Sequence, residues 1–219
     1  MTCRPSWVCP HRRVALRSPL ANKPYQPKDF FFRKAKADGL RARSAYKIEE
    51  IAKRFSIFRK GQAVLDMGAA PGGFLQIIAG EVGPKGMVIG VDLAAIKPFG
   101  LATVKTAVLD VLADDFDAEV LKLYAGDFDV VASDLAPKTS GIRMTDEARS
   151  IRLAMKALEV SRARGKLGGH LISKLFMGGD FEEFRRELRA TFDEVKVVRP
   201  EATRGGSMEV YLVGLRKRA

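Results

Sequence analysis

One run of residues constrains this chain more than any other: Val64-Leu65-Asp66-Met67-Gly68-Ala69-Ala70-Pro71-Gly72-Gly73-Phe74. The apolar stretch Ala63–Met67 has strand length, the turn after it is built of small residues, and Phe74–Val82 reads as a helix. Passage from a buried strand through a glycine turn into a helix is how an α/β sheet begins. Glycines in such a turn permit positive φ and let another group approach the backbone closely. The pattern continues. Met87–Val91, Thr106–Leu109 and Phe128–Ser133 read as strands that end at Asp92, Asp110 and Asp134. Thr145–Leu167 reads as a long amphipathic helix with Thr145 as its N-cap. Gly169–Phe176 is a fifth strand and Phe181–Thr191 a helix. Val195–Val198 and Val210–Leu215 follow with only a loop between them, so this last pair is expected to be antiparallel. The expectation is a seven-stranded, mostly parallel sheet with one antiparallel strand and helices on both faces.

Charge divides the chain unevenly. Residues 1–60 hold 16 Lys/Arg against 4 Asp/Glu, while residues 61–219 hold 22 of each. A neutral domain with a basic front end points to a polyanion docking there, most plausibly nucleic acid. Tyr25, Phe30, Phe31, Phe32 and Tyr46 lie among these charges, and bases stack on aromatic faces. Residues 29–59 read as helical, with Ala45, Ile48, Ile51 and Phe55 on a packing face and Arg41, Arg43, Lys47 and Arg54 presented outward. Residues 1–24 carry five basic residues, four prolines and no acid, and lack the apolar core of a secretory signal. A disordered arm is the default reading; a transit peptide, which would direct the chain to mitochondria, or an over-long start stay open. Cys3, Cys9 and His11 fit no zinc spacing, so no metal is expected. No apolar run approaches the roughly 18 residues that a membrane span requires. With only two cysteines, a reducing compartment, the cytoplasm, is expected.

The glycine turn is neither G-x-G-x-x-G nor G-x-x-x-x-G-K-[ST], which excludes a P-loop nucleotidase. Asp92 ends the second strand, where an acid can accept both hydroxyls of an adenosine ribose. NAD and S-adenosylmethionine (SAM) both present that ribose. Pro71 lacks an N–H, which weakens a pyrophosphate cradle and favours SAM. Asp66, Asp92, Asp110 and Asp134 are expected to converge on one sheet edge, with Asp66 toward the cationic end of the ligand. Asp134-Leu135-Ala136-Pro137 lacks the Asp/Asn-Pro-Pro-aromatic run of amine-methylating enzymes, and both cysteines lie in the N-terminal arm. An oxygen is therefore the expected methyl acceptor. An attacking alcohol must lose its proton, so it needs a base or a cation beside the forming alkoxide. Lys174 interrupts the apolar strand Leu171-Ile172-Ser173-Lys174-Leu175-Phe176, where a charge is costly unless paired or used. Glu209, at the start of another apolar strand, is a similar misfit, whereas His170 reads as structural.

Arg41-x-Arg43-Ser44-Ala45-Tyr46-Lys47, the glycine run, Ser133-Asp134-Leu135-Ala136-Pro137, Ser173-Lys174-Leu175-Phe176 and Glu209-Val210-Tyr211 together closely resemble the FtsJ family of RNA 2′-O-ribose methyltransferases. The resemblance spans about residues 25–216. It implies a Rossmann-like SAM-methyltransferase fold, with 25–60 as an RNA-facing helical region and 61–219 as the core. It implies a catalytic tetrad of Lys47, Asp134, Lys174 and Glu209. Gly68, Gly72, Gly73, Phe74, Asp92, Asp110 and Asp134 would bind SAM, and Arg41, Arg43 and Lys47 would bind RNA. Phe74 stands where the bacterial ribosomal enzyme has a tryptophan. The implied substrate is a uridine ribose of large-subunit ribosomal RNA, with transfer RNA as the nearest alternative; a monomer is the default expectation for the acting form. Two further classes stay open, a nicotinamide-dependent oxidoreductase and a non-catalytic RNA-binding factor. Whether Lys174 takes the proton or stabilises the alkoxide is not decided by the residues.

Overall fold

The structure is a computed structural model and describes residues 30–219. The basic arm at 1–24, with Cys3, Cys9 and His11, lies outside the described residues, as does Tyr25. Helices α1 (Phe30–Ala37) and α2 (Ser44–Phe55) precede the sheet. Strand β1 (Ala63–Met67) leads into α3 (Gly73–Val82), β2 (Met87–Asp92) and β3 (Val104–Val108). Then come α4 (Phe116–Leu123), β4 (Phe128–Ser133), α5 (Arg143–Arg164) and β5 (Gly165–Phe176). The chain ends in α6 (Phe181–Thr191), β6 (Phe192–Val198) and β7 (Glu209–Lys217).

These strands form one sheet in the order β3-β2-β1-β4-β5-β7-β6. All neighbours are parallel except β7, which inserts antiparallel between β5 and β6. The return of the chain from β6 to β7 without a crossover helix dictates that direction. Strand β1 is buried along its whole length, as a central parallel strand covered on both faces must be. Leu65 and Met67 point to a core shared with Phe116, Leu158 and Phe184 of α4, α5 and α6. Val64 points to the opposite core, with Ile48 and Ile51 of α2 and Leu75 and Ile78 of α3. The chain order reverses between β1 and β4, which places a crevice at their carboxyl ends.

The structure alters four local expectations. The helix expected over 29–59 is two helices, because Gly39 sits at φ +68° and turns the chain between them. Helix α4 was not expected, since its eight residues are too few to show a period. Helix α5 starts at Arg143 rather than behind a Thr145 cap. Asp146 then lies in the first turn and its carboxylate serves the preceding loop. It accepts from Ser140 N at 2.7 Å, Ser140 Oγ at 2.9 Å and Gly141 N at 3.2 Å. Strand β5 starts at Gly165, four residues earlier than expected, with a register shift against β4 between Phe128 and Val130.

Candidate active site

A cavity of about 640 Å³ opens at the carboxyl ends of β1 to β4. Gly68, Asp92, Asp110 and Asp134 line it, between apolar walls that include Val111 and Leu135. Gly68 holds φ +78°, and a Cβ there would lie 2.8 Å from Leu135 N, so the β1 turn and the β4 turn touch backbone to backbone. Three N–H groups of the glycine turn are already engaged. Those of Gly68 and Ala69 go to Val91 O, and that of Ala70 goes to Asp92 Oδ2 at 2.9 Å. Pro71 has none. With these donors used and Pro71 lacking one, the first half of the turn offers a pyrophosphate little, whereas carboxylates suit the hydroxyls and amines of a nucleoside.

Beside this cavity, Lys174 of β5 is 7% exposed. Its Nζ donates to Asp134 O at 2.5 Å and to Asp134 Oδ1 at 3.0 Å. The Tyr211 hydroxyl donates to the same Oδ1 at 2.5 Å. Lys174 and Tyr211 are opposed across the β5–β7 ladder, and Glu209 is opposed to Phe176 on the same pair. Since side chains alternate along a strand, Glu209 and Tyr211 share a face. Lys47, on the buried side of α2, reaches over β7, where it donates to Glu209 Oε1 and its Nζ lies 5.8 Å from the Tyr211 ring centroid. Four charges, from α2, β5, β7 and the turn that follows β4, thus form two ion pairs, Lys174–Asp134 and Lys47–Glu209, flanking one tyrosine. Arg43, Lys47, Arg204, Ser207 and Glu209 line a further cleft of about 150 Å³. A cation held by a carboxylate, next to acids that suit a nucleoside and a basic cleft that suits a polyanion, is equipped to assist an alcohol in group transfer.

The FtsJ-like methyltransferase family matches residues 40–217. The chain belongs to the FtsJ-like methyltransferase family. Ribosomal RNA large subunit methyltransferase E of Myxococcus xanthus is 67% identical over 201 residues, covering 92% of this chain and 94% of that protein. The Anaeromyxobacter protein of the same name (strain Fw109-5) is 55% identical over 192 residues, covering 88% of this chain and 70% of its own. Among solved structures, a Plasmodium falciparum ribosomal RNA methyltransferase superposes with TM-score 0.71 at 23% identity, over 81% of this chain and 98% of that one, and shares the fold.

In this FtsJ-like methyltransferase the residues expected at the site separate into groups. Gly68, Asp92, Asp110 and Asp134 line the cavity; Gly72, Gly73 and Phe74 do not. A Cβ on Gly72 would meet Arg41 and Phe99, and one on Gly73 would meet Ser44 Oγ. Phe74 is buried with its ring 6.3 Å from that of Tyr211. Asp66, expected toward the ligand, is fully buried below the turn, and neither carboxylate oxygen has a hydrogen-bond partner. Burial first, then Asp134 and Asp92, push its pKa well above the usual carboxylate range, which favours its neutral form. Arg43 donates to Ala202 O beside the basic cleft. Arg41 donates to Lys97 O and Pro98 O and lies against Phe99.

Tyr211 was given no separate role by sequence reasoning. The available signal was its place two residues after Glu209, which puts both on one face of β7. Its pKa is driven well up by burial, with Asp134 and Glu209 adding to the effect, so it stays a hydroxyl donor. Among the described residues no group of three or more His, Cys, Asp or Glu is arranged to hold a metal, and no helix is long and apolar enough to cross a membrane.

Proposed function

We propose that this protein is a SAM-dependent methyltransferase that methylates the 2′-hydroxyl of a ribose in RNA, a uridine of large-subunit ribosomal RNA, acting as a single chain in the cytoplasm. The observation that carries the reading is the Lys174 ammonium held by Asp134, itself a lining residue of the acid-lined cavity. Membership of the family and a 67% identical relative named as a large-subunit ribosomal RNA methyltransferase support it.

The residues present fit SAM. Asp92, Asp110 and Asp134 offer acceptors for ribose hydroxyls, the adenine amine and the amino group, and apolar walls suit the base. SAM, when bound, supplies a methyl group on a cationic sulfur, so that O–C bond formation and C–S cleavage leave a neutral thioether and one proton to be removed. Asp134 fixes the Lys174 amino group with two acceptors, and Tyr211 holds the Asp134 carboxylate in turn. Lys174 thereby stands beside the attacking oxygen, where as an ammonium it offsets the developing charge and, only after giving up a proton itself, accepts the one that the hydroxyl loses. The Lys47–Glu209 pair orients the ribose, while Arg43 and Arg204 supply positive charge for the adjoining phosphates.

Lys174→Ala tests this. Incubated with ribosomal subunits, naked ribosomal RNA or transfer RNA and SAM, the wild-type protein adds one ribose methyl to large-subunit RNA, read by mass spectrometry. The variant adds none, yet binds SAM with unchanged affinity. Full turnover by the variant refutes the mechanism, and methylation confined to transfer RNA refutes the substrate.

A further inference from the structure

Arg41 lies in the basic region expected to face RNA, but a donor on each of its terminal nitrogens is committed elsewhere. One terminal nitrogen donates to Lys97 O at 2.5 Å and the other to Pro98 O at 2.8 Å. The guanidinium carbon sits 3.5 Å from the Phe99 ring centroid. A guanidinium grips phosphate through paired N–H groups, and here each terminal nitrogen is anchored by a backbone carbonyl, which fixes the group against the loop. The arginine is pinned at its other end as well. Its N–H donates to Gln76 Oε1 at 3.0 Å, and Gln76 Nε2 donates back to Gly39 O at 3.0 Å. Gln76 belongs to α3, the helix that starts at the glycine turn.

The gripped segment is the β2–β3 connection, which starts immediately after Asp92. Asp92 ties this loop to the glycine turn: Oδ1 accepts from Ala94 N at 2.9 Å and Oδ2 from Ala70 N at 2.9 Å. The loop has few other anchors. Leu93 and Leu101 are exposed, and only Ile96 and Phe99 pack on the core. Gly72 completes the arrangement. A Cβ there would lie 2.9 Å from both Arg41 Cδ and Phe99 Cζ, so the absence of a side chain lets arginine and ring close over the turn.

We infer that Arg41 is a positioning residue for the cofactor: it latches the β2–β3 loop over the glycine turn, and so sets Asp92 and Leu93 on the cavity wall. This inference rests on the proposal that the cavity binds SAM. It also makes the region that faces RNA part of the cofactor site, since the α1–α2 corner, α3 and the Asp92 loop meet at one side chain.

The test compares SAM affinity by calorimetry, and the salt dependence of RNA affinity, in the full-length protein and three variants. Arg41→Lys keeps the charge but cannot bridge two carbonyls while lying on a ring. Phe99→Ala removes the ring with no change of charge. Arg41→Ala removes both the latch and the charge. All three are expected to weaken SAM binding roughly tenfold and raise KM for SAM, leaving KM for RNA and the slope of log affinity against log salt unaltered. Wild-type SAM affinity in Arg41→Lys overturns the latch, because charge alone then suffices. So does a salt slope lowered by about one in Arg41→Ala with SAM affinity intact, the signature of a lost phosphate contact. Melting temperatures without SAM identify misfolding, and Phe99→Leu, which loses only the ring face, then takes the place of Phe99→Ala with the same expected result. A wild-type protein that does not bind SAM removes the cofactor reading itself, an outcome distinct from any difference among variants.

Discussion

Asp66→Asn probes the most deeply buried acid of the site. Asp66 is fully buried, with both carboxylate oxygens unpartnered, and Asp134 and Asp92 are near enough to disfavour a second and third charge. The folded protein therefore keeps a proton on Asp66 at pH values where the unfolded chain, with an ordinary aspartate near 3.9, has released it. Stability contributed by that bound proton is complete below the unfolded value and declines as pH rises, until the folded group also ionises. Across that window the cost grows by about 1.4 kcal/mol per pH unit. Asparagine has nearly the same shape and does not titrate. The stability difference between variant and wild type should thus move in the variant's favour as pH rises above the unfolded value, at a limiting slope of about 1.4 kcal/mol per unit for as long as the folded group holds its proton. An offset common to all pH values, from burying the amide's own donors, leaves this slope untouched. Urea unfolding of both proteins at pH 5, 6 and 7 measures it. A difference that stays flat over those two units shows that Asp66 is charged in the fold, and refutes the reasoning.

Other substitutions test neighbouring parts of the argument. Tyr211→Phe removes the hydroxyl that donates to Asp134 while keeping the ring; single-turnover methylation should slow roughly tenfold, about 1.4 kcal/mol of transition-state stabilisation, and an unchanged rate removes Tyr211 from the positioning of Asp134. Glu209→Gln leaves the buried Lys47 ammonium without its counter-charge; methyl transfer should fall while SAM affinity, measured by calorimetry, stays at the wild-type value. Gly68→Ala puts a methyl group 2.8 Å from Leu135 N at φ +78°; it should cost about 1–3 kcal/mol, and a wild-type melting temperature would contradict the close approach of the two turns.

Much of the fold is legible along the chain because central parallel strands, covered on both faces, appear as short apolar runs. Ala63–Met67, Met87–Val91 and Phe128–Ser133 stand out in this way and occupy neighbouring places in the sheet. The antiparallel direction of the last pair follows from the missing crossover helix. Short elements are harder to read. Helix α4 is too brief to show a period, and the turn at Gly39 interrupts an apolar spacing that continues through it. The start of α5 depends on Asp146 binding the loop before it, a competition between side chain and backbone that no spacing rule resolves.

The candidate site shows the same division. Lys174 and Glu209 are conspicuous from sequence because each places a charge in an apolar strand, where burial without a partner is costly. Which partner each takes is a property of the folded chain. Lys174 takes Asp134, 40 residues away, and Lys47 takes Glu209, 162 residues away. Arg41 and Arg43 are alike in sequence, two basic residues two positions apart, yet one grips the loop beside the acid-lined cavity and the other lies at the basic cleft. Residue type and local pattern determine which groups are out of place in a strand or free to turn, because those are local energies. Sheet order, register and packing decide which groups meet, because contact between distant segments exists only once β7 has been inserted beside β5 and α2 laid across it.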